Sequence, residues 1–285
     1  MHGILVVDKP KDYTSRDIVN IVSKKLGTKK VGHTGTLDPL ATGVLVLCIG
    51  DYTKFVSFFT NHDKEYTATI LFGEETDTLD ITGTVMKKMK IIPSVLDLQH
   101  VLSLFIGKQS QEVPLYSAKK IQGKRLYEYA REGKEVSLPI QNIEVYNLSL
   151  LDFQEKKAVI SCHVSKGTYI RSLLRDISYA CHTVGTMTDL RRTRQGDFSL
   201  LKAYNLDEIL RGRFKLLSFK DFLSYGIYEL MEEEYLKVLN GNVLCLDQMD
   251  EYILVTYHGK DIALYQKKEK GYYPLLQFHK NSVYK

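Results

Sequence analysis

Apolar residues change their spacing repeatedly along this chain, and each change marks an element. From Ser15 to Leu26 they recur at Ile18, Val19, Val22 and Leu26, the spacing of one helix face, with Ser15 placed to cap the start and Gly27 to end it. Val44 to Ile49 is an unbroken apolar run, the pattern of a short strand buried on both faces. Tyr66, Ala68, Ile70 and Phe72 alternate with Thr67, Thr69 and Leu71, which predicts a strand. Ser94 to Phe105 reads as a second amphipathic helix. Ile143 to Phe153 and Ala158 to Val164 read as strands, the latter with Ala158, Ile160, Cys162 and Val164 on one face. Gly167 permits a tight turn, and Thr168 opens a helix with Ile170, Leu173, Leu174 and Ile177 inward. Strands and helices follow one another without a regular βαβ beat. The expected fold class is therefore α+β with a mixed, mostly antiparallel sheet.

Residues 207–234 carry no strong strand signal and read as a helix and a linker. From Tyr235 onward short runs such as Tyr252 to Tyr257 and Ile262 to Tyr265 flank turn signals at Asn240-Gly241 and His258-Gly259. Two units are expected: 1–230, holding a polar, basic and tyrosine-rich stretch over about 109–138, and a small β-rich unit over 235–285. The motifs described below all fall before Gln195, so the second unit is expected to add binding surface rather than reacting groups.

Hydrophobic residues make up 44% of the 285, enough for a substantial core. No apolar run approaches the roughly 20 residues that span a membrane. The run Ile4 to Val7 is too short for a secretory signal, so a cytoplasmic protein is expected. The net charge of +5 permits a polyanionic partner without requiring one. Cys48, Cys162, Cys181 and Cys245 form no C-x-x-C pair and are expected as free thiols. Cys162-His163 and Cys181-His182 invite a zinc reading. Neighbours on a strand point to opposite faces, however, so core cysteines are the simpler expectation, with no metal.

The chemistry concentrates in Gly32-His33-Thr34-Gly35-Thr36-Leu37-Asp38-Pro39-Leu40-Ala41-Thr42-Gly43. Its three glycines let backbone approach a ligand closely, and Pro39 biases Asp38 away from the helical region. A carboxylate on a stiff loop beside a buried strand suits a nucleophile. By residues alone it suits a turn Asp bonded to its own backbone equally well.

That string resembles, nearly letter for letter, the signature loop of TruB-type pseudouridine synthases, in which the Asp is the nucleophile. Other stretches resemble the same family in the same order. Leu5-Val6-Val7-Asp8-Lys9-Pro10 followed by Thr14-Ser15 is similar to its first motif, with Asp12 where the family usually has Gly. Lys64-Glu65-Tyr66 resembles the strand with the active-site Tyr, and Thr76-Asp77-Thr78-Leu79-Asp80 the acidic turn. Ser165-Lys166-Gly167-Thr168-Tyr169-Ile170-Arg171 resembles the motif that gives an Arg to the catalytic Asp. Leu190-Arg191-Arg192-Thr193 resembles the segment whose Leu touches the target base. The tail from Tyr235 is only loosely similar to a PUA-type RNA-binding domain.

The resemblance implies the α+β pseudouridine synthase fold and isomerisation of uridine 55 in the T-arm of tRNA, with no cofactor. It casts Asp38, Tyr66 and Arg171 as catalytic and His33, Tyr66, Tyr169 and Leu190 as substrate-binding. His33 would act as a wedge that keeps the base out of its stack. Lys9 and Pro10 would support the site. In the basic stretch, Lys119, Lys120, Lys124 and Arg125 stand among Tyr116, Tyr127 and Tyr129, a mixture that suits RNA backbone and base contact but also an ordinary charged helix. Val113 to Lys120 resembles the insertion that clamps the tRNA arm in stand-alone bacterial enzymes, with Val113 and Lys119 departing from the usual form. Guide-RNA-dependent relatives lack it, so an enzyme that finds its RNA unaided is expected; no guide RNA or obligate protein partner is expected, and a monomer is. Two rival readings are an RNA-folding module without turnover, and a hydrolase using His33 and Asp38. The hydrolase lacks both a third orienting group and a metal motif.

Overall fold

The computed structural model describes residues 1–278; the last residues of the unit expected over 235–285 lie outside them. A nine-stranded sheet runs in the order Gly3–Lys9, Thr42–Ile49, Gly185–Gln195, Lys64–Phe72, Lys157–Val164, Ile140–Gln154 and Gly107–Glu112. Val31–His33 is added beside Thr42–Ile49 and Phe198–Ser199 beside Gly185–Gln195. The pairings are antiparallel except that of Thr42–Ile49 with Gly185–Gln195. The mixed, mostly antiparallel α+β class is as expected.

The unbroken apolar runs are explained by two cores, one on each face. Leu5, Val7, Leu45 and Leu47 face the helices Ser15–Leu26 and Ile170–Ala180. Ile4, Val6, Val44 and Val46 face the other way, onto Phe55, Phe59 and Phe198. A four-stranded sheet of Gly226–Glu229, Tyr252–Tyr257, Lys260–Lys268 and Gly271–Gln277 completes this second core through Tyr252, Leu254, Leu264 and Leu276.

Several local readings change. Thr14, not Ser15, caps the first helix: its hydroxyl accepts from Asp17 N–H at 3.1 Å while the Asp17 carboxylate accepts from Thr14 N–H at 2.8 Å. Ser15 is buried and instead holds Leu37, accepting from its N–H at 2.8 Å and donating to its carbonyl at 3.2 Å. The helix expected to open at Thr168 begins at Ile170. Residues 107–112 of the basic region's approach form the sheet edge. Beyond them a hairpin, Lys120–Ile121 with Lys124–Arg125, turns at Gln122 and Gly123, whose φ values of 50° and 83° are those of a tight two-residue turn. The strand Gly226–Glu229 falls where a linker was read, because four residues in a polar stretch give too short a pattern to detect. Asn240-Gly241 ends the helix Glu232–Leu239 rather than turning a hairpin, whereas His258-Gly259 does turn one.

Candidate active site

The Asp38 loop joins Val31–His33 to Thr42–Ile49 and is fastened on each side. Gly43 pairs with Lys9 on one side and Arg192 on the other. At φ +99° a Cβ on Gly43 would stand 2.2 Å from the Arg192 carbonyl, so only glycine lets these strands meet. Asp12 adopts φ 69°, the left-handed backbone that glycine enters freely and Asp tolerates, and its N–H donates to the Pro39 carbonyl at 2.8 Å. The fully buried Lys9 ammonium donates to the carbonyls of Tyr13 (2.6 Å), Pro10 (2.9 Å) and Pro39 (3.4 Å). The loop is thereby rigid where a reacting group must be held.

Asp38 Oδ2 lies 3.0 Å from Arg171 Nη2. Arg171 is buried, and its guanidinium also donates to the carbonyls of Thr78 and Tyr116, both at 2.9 Å, and lies 3.6 Å from Asp80. Asp80 is itself held by the hydroxyls of Thr78 (2.9 Å) and Thr82 (2.5 Å). The acidic turn therefore fixes the arginine, and the arginine aims the aspartate. The Asp38 side chain keeps 38% of its surface exposed, so it remains open to a substrate.

A cleft of about 620 Å³ opens over this pair, and Tyr66, Tyr169 and Leu190 line it. Tyr66 comes from the centre of the sheet, opposite Arg192. Gln111 clamps Tyr169 by accepting from its N–H (2.8 Å) and donating to its carbonyl (3.1 Å). Burial raises the Tyr169 phenol above its ordinary range, so it stays protonated.

A family model described as TruB family pseudouridylate synthase, N-terminal domain, matches residues 23–170. The chain belongs to this family. A protein of Caldanaerobacter subterraneus subsp. tengcongensis named tRNA pseudouridine synthase B is 44% identical, over 85% of this chain and 86% of its own. One of the same name from Lactobacillus acidophilus is 38% identical, over 99% of each. The chain is thus a pseudouridine synthase, an isomerase. Among solved structures, a chain of a Cbf5-Nop10-Gar1 complex shares the fold at TM-score 0.65, with 22% identity over 95% of this chain and 83% of that one.

Two cleft residues carry more than their motifs implied. Lys64 and Arg192 share strand faces with Tyr66 and Leu190, and both are buried. Alternation along each strand was the signal that could have placed them inward. Asp80 and Gln111, likewise not singled out, hold Arg171 and Tyr169. His33 does not line the cleft; it lies on Val31–His33, and burial, with Arg16 and Arg192 nearby, lowers its pKa, so its ring is neutral at pH 7. Lys119 stands on the cleft rim, Lys120 and Arg125 are exposed, and Lys124 is paired with Glu132. Cys162 lies in the core while His163 meets Asp63 on the opposite face. No helix among the described residues is long and apolar enough to cross a membrane.

Burial pushes both Lys9 and Lys64 down to about 8 from 10.5. Between these values the unfolded chain holds protons that the folded chain has released, so stability rises with pH across that window, while below pH 8 the full cost remains. From pH 7.5 to 9.5, wild type should gain roughly 1–2 kcal/mol over Lys64→Met in denaturant unfolding. Equal changes in the two proteins would contradict this.

Proposed function

We propose that this chain isomerises uridine 55 in the T-arm of tRNA to pseudouridine. The observation that carries the reading is the 3.0 Å pairing of Asp38 with a buried arginine beneath a cleft lined by Tyr66, Tyr169 and Leu190. The tRNA substrate is supported by the relatives' name, tRNA pseudouridine synthase B.

The reaction breaks the N1–C1′ bond and forms C5–C1′; C5 loses its proton and N1 gains one. Atoms and electrons balance without an oxidant, a metal or an energy source. Asp38 is the nucleophile that opens the glycosidic bond, and Arg171 keeps its carboxylate ionised and aimed. Tyr66 stacks on the uracil, and its hydroxyl can bond or take a proton. Tyr169 and Leu190 hold the ring while it is detached, and His33 keeps the base out of the T-loop stack. Lys9 and Pro10 stiffen the loop. The basic stretch over 109–138 grips the arm, the PUA-like unit over 235–285 adds RNA contact, and a monomer works without guide RNA or cofactor.

Incubating the purified protein with an unmodified tRNA transcript should yield pseudouridine at position 55 by chemical mapping, and none when that uridine is replaced by cytidine. Product elsewhere, or no product, overturns the reading. Lys119 and Lys120 have no carboxylate within 4 Å among the described residues, unlike Lys124. Removing both charges should lessen the salt dependence of log K by up to about two, one per phosphate contact. An unchanged slope would make the hairpin a bland surface.

A further inference from the structure

The cleft is lined by five cationic side chains, Lys64, Lys119, Lys166, Arg171 and Arg192, against one carboxylate, Asp38. Arg171 is already committed to Asp38 and Asp80. Lys64 and Arg192 are different. Both are buried, and neither has a carboxylate within 4 Å among the described residues. They stand together: a Cβ on Gly35 would lie 3.5 Å from Arg192 Nη1 and 3.9 Å from Lys64 Cε. Their hydrogen bonds go only to carbonyls, Lys64 to those of Thr60 (2.9 Å) and His62 (2.5 Å), and Arg192 to those of Val44 (2.6 Å) and Gly35 (3.2 Å). Arg192 Nη1 takes part in none of these. Neighbouring like charges without a counter-charge are costly to bury, and the cost is relieved when an anion enters.

We propose that Lys64 and Arg192 form an anion subsite that takes a backbone phosphodiester of the RNA next to the flipped uridine. Lys166, whose ammonium is 2.9 Å from Asn61 Oδ1, stands at the mouth of the same cleft. Arg192 supplies planar N–H donors and Lys64 a point charge, the two forms of phosphate recognition that proteins combine. A phosphate held here anchors the strand beside the gap left by base flipping, and so offsets part of the unstacking cost. The inference rests on the RNA-uridine reading of the cleft.

Arg192 supports Gly35 and Val44, so its replacement could unfold the loop; the decisive change is made in the RNA. T-arm hairpins carrying a single neutral methylphosphonate, either flanking the target uridine or far down the stem, are titrated with wild-type protein and, in parallel, assayed for conversion. A flanking neutral linkage should weaken binding about tenfold or more, the scale of a lost charge-assisted contact, and a distal one less than about twofold. With Lys64→Met the flanking penalty should shrink. Equal penalties at both places overturn the subsite. So does a flanking linkage that leaves binding intact while Lys64→Met slows conversion, since the cations would then serve the detached base. Failure of the unmodified hairpin to be converted speaks against the uridine-55 reading instead, while the binding contrast still reads the subsite.

Discussion

Asp38→Asn is expected to reduce uridine conversion by roughly 10⁴-fold or more, because it removes the covalent route and not one contact among many. The change keeps size and shape. It leaves Arg171 with the carbonyls of Thr78 and Tyr116 and the Asp80 carboxylate, so no buried charge is stranded. The melting temperature should therefore barely move. RNA affinity should be unchanged or slightly tighter, since phosphate contacts and stacking supply most of it and one repelling carboxylate is gone. Single-turnover conversion, binding and thermal unfolding of the variant separate these effects. Conversion near the wild-type rate would remove Asp38 from the mechanism, whereas lost activity with lost folding would say nothing about its role.

Deleting residues 235–285 should damage the fold, not only RNA binding. Leu254, Leu264 and Leu276 are almost fully buried against the cluster that includes Ile4, Val6, Val44 and Val46. Those last residues lie on Gly3–Lys9 and on Thr42–Ile49, the strand that follows the Asp38 loop. Each such side chain contributes about 1.5–3 kcal/mol on burial, and uncovering several together rivals the roughly 5–15 kcal/mol that holds a typical domain folded. Truncated protein should be insoluble or melt more than about 10 °C lower. An unchanged melting temperature would mean that the C-terminal sheet merely rests on an independently stable body.

The sequence reading and the structure agree where one signal dominates. Thr42–Ile49 and Lys64–Phe72 follow from an apolar run and a clean alternation, and the Asp38 loop from a long motif. Lys64 and Arg192 sit inside the motifs that carry Tyr66 and Leu190 and share a face with them two positions away, but a charged residue on a strand has no apolar pattern of its own to mark it as buried. Ser15 looked like a cap because Thr14 and Ser15 are chemically equivalent candidates. Which one faces the helix end depends on Leu37, 22 residues away, where the Ser15 hydroxyl is used. The partnership of Arg171 with the 76–80 turn and Tyr116 is likewise a long-range contact, so periodicity could not show it. Asp12 is the converse case: a departure from a family glycine marks a left-handed position that Asp can occupy.

Isomerisation replaces the C5–H bond of one uridine by C5–C1′, so the hydrogen on C5 must leave. The most direct measurement is release of tritium from a tRNA transcript labelled at C5 of its uridines. Wild-type protein should release one equivalent per tRNA without added cofactor, and none when position 55 is cytidine. No release, or release that is the same from the cytidine transcript, would contradict isomerisation at that uridine.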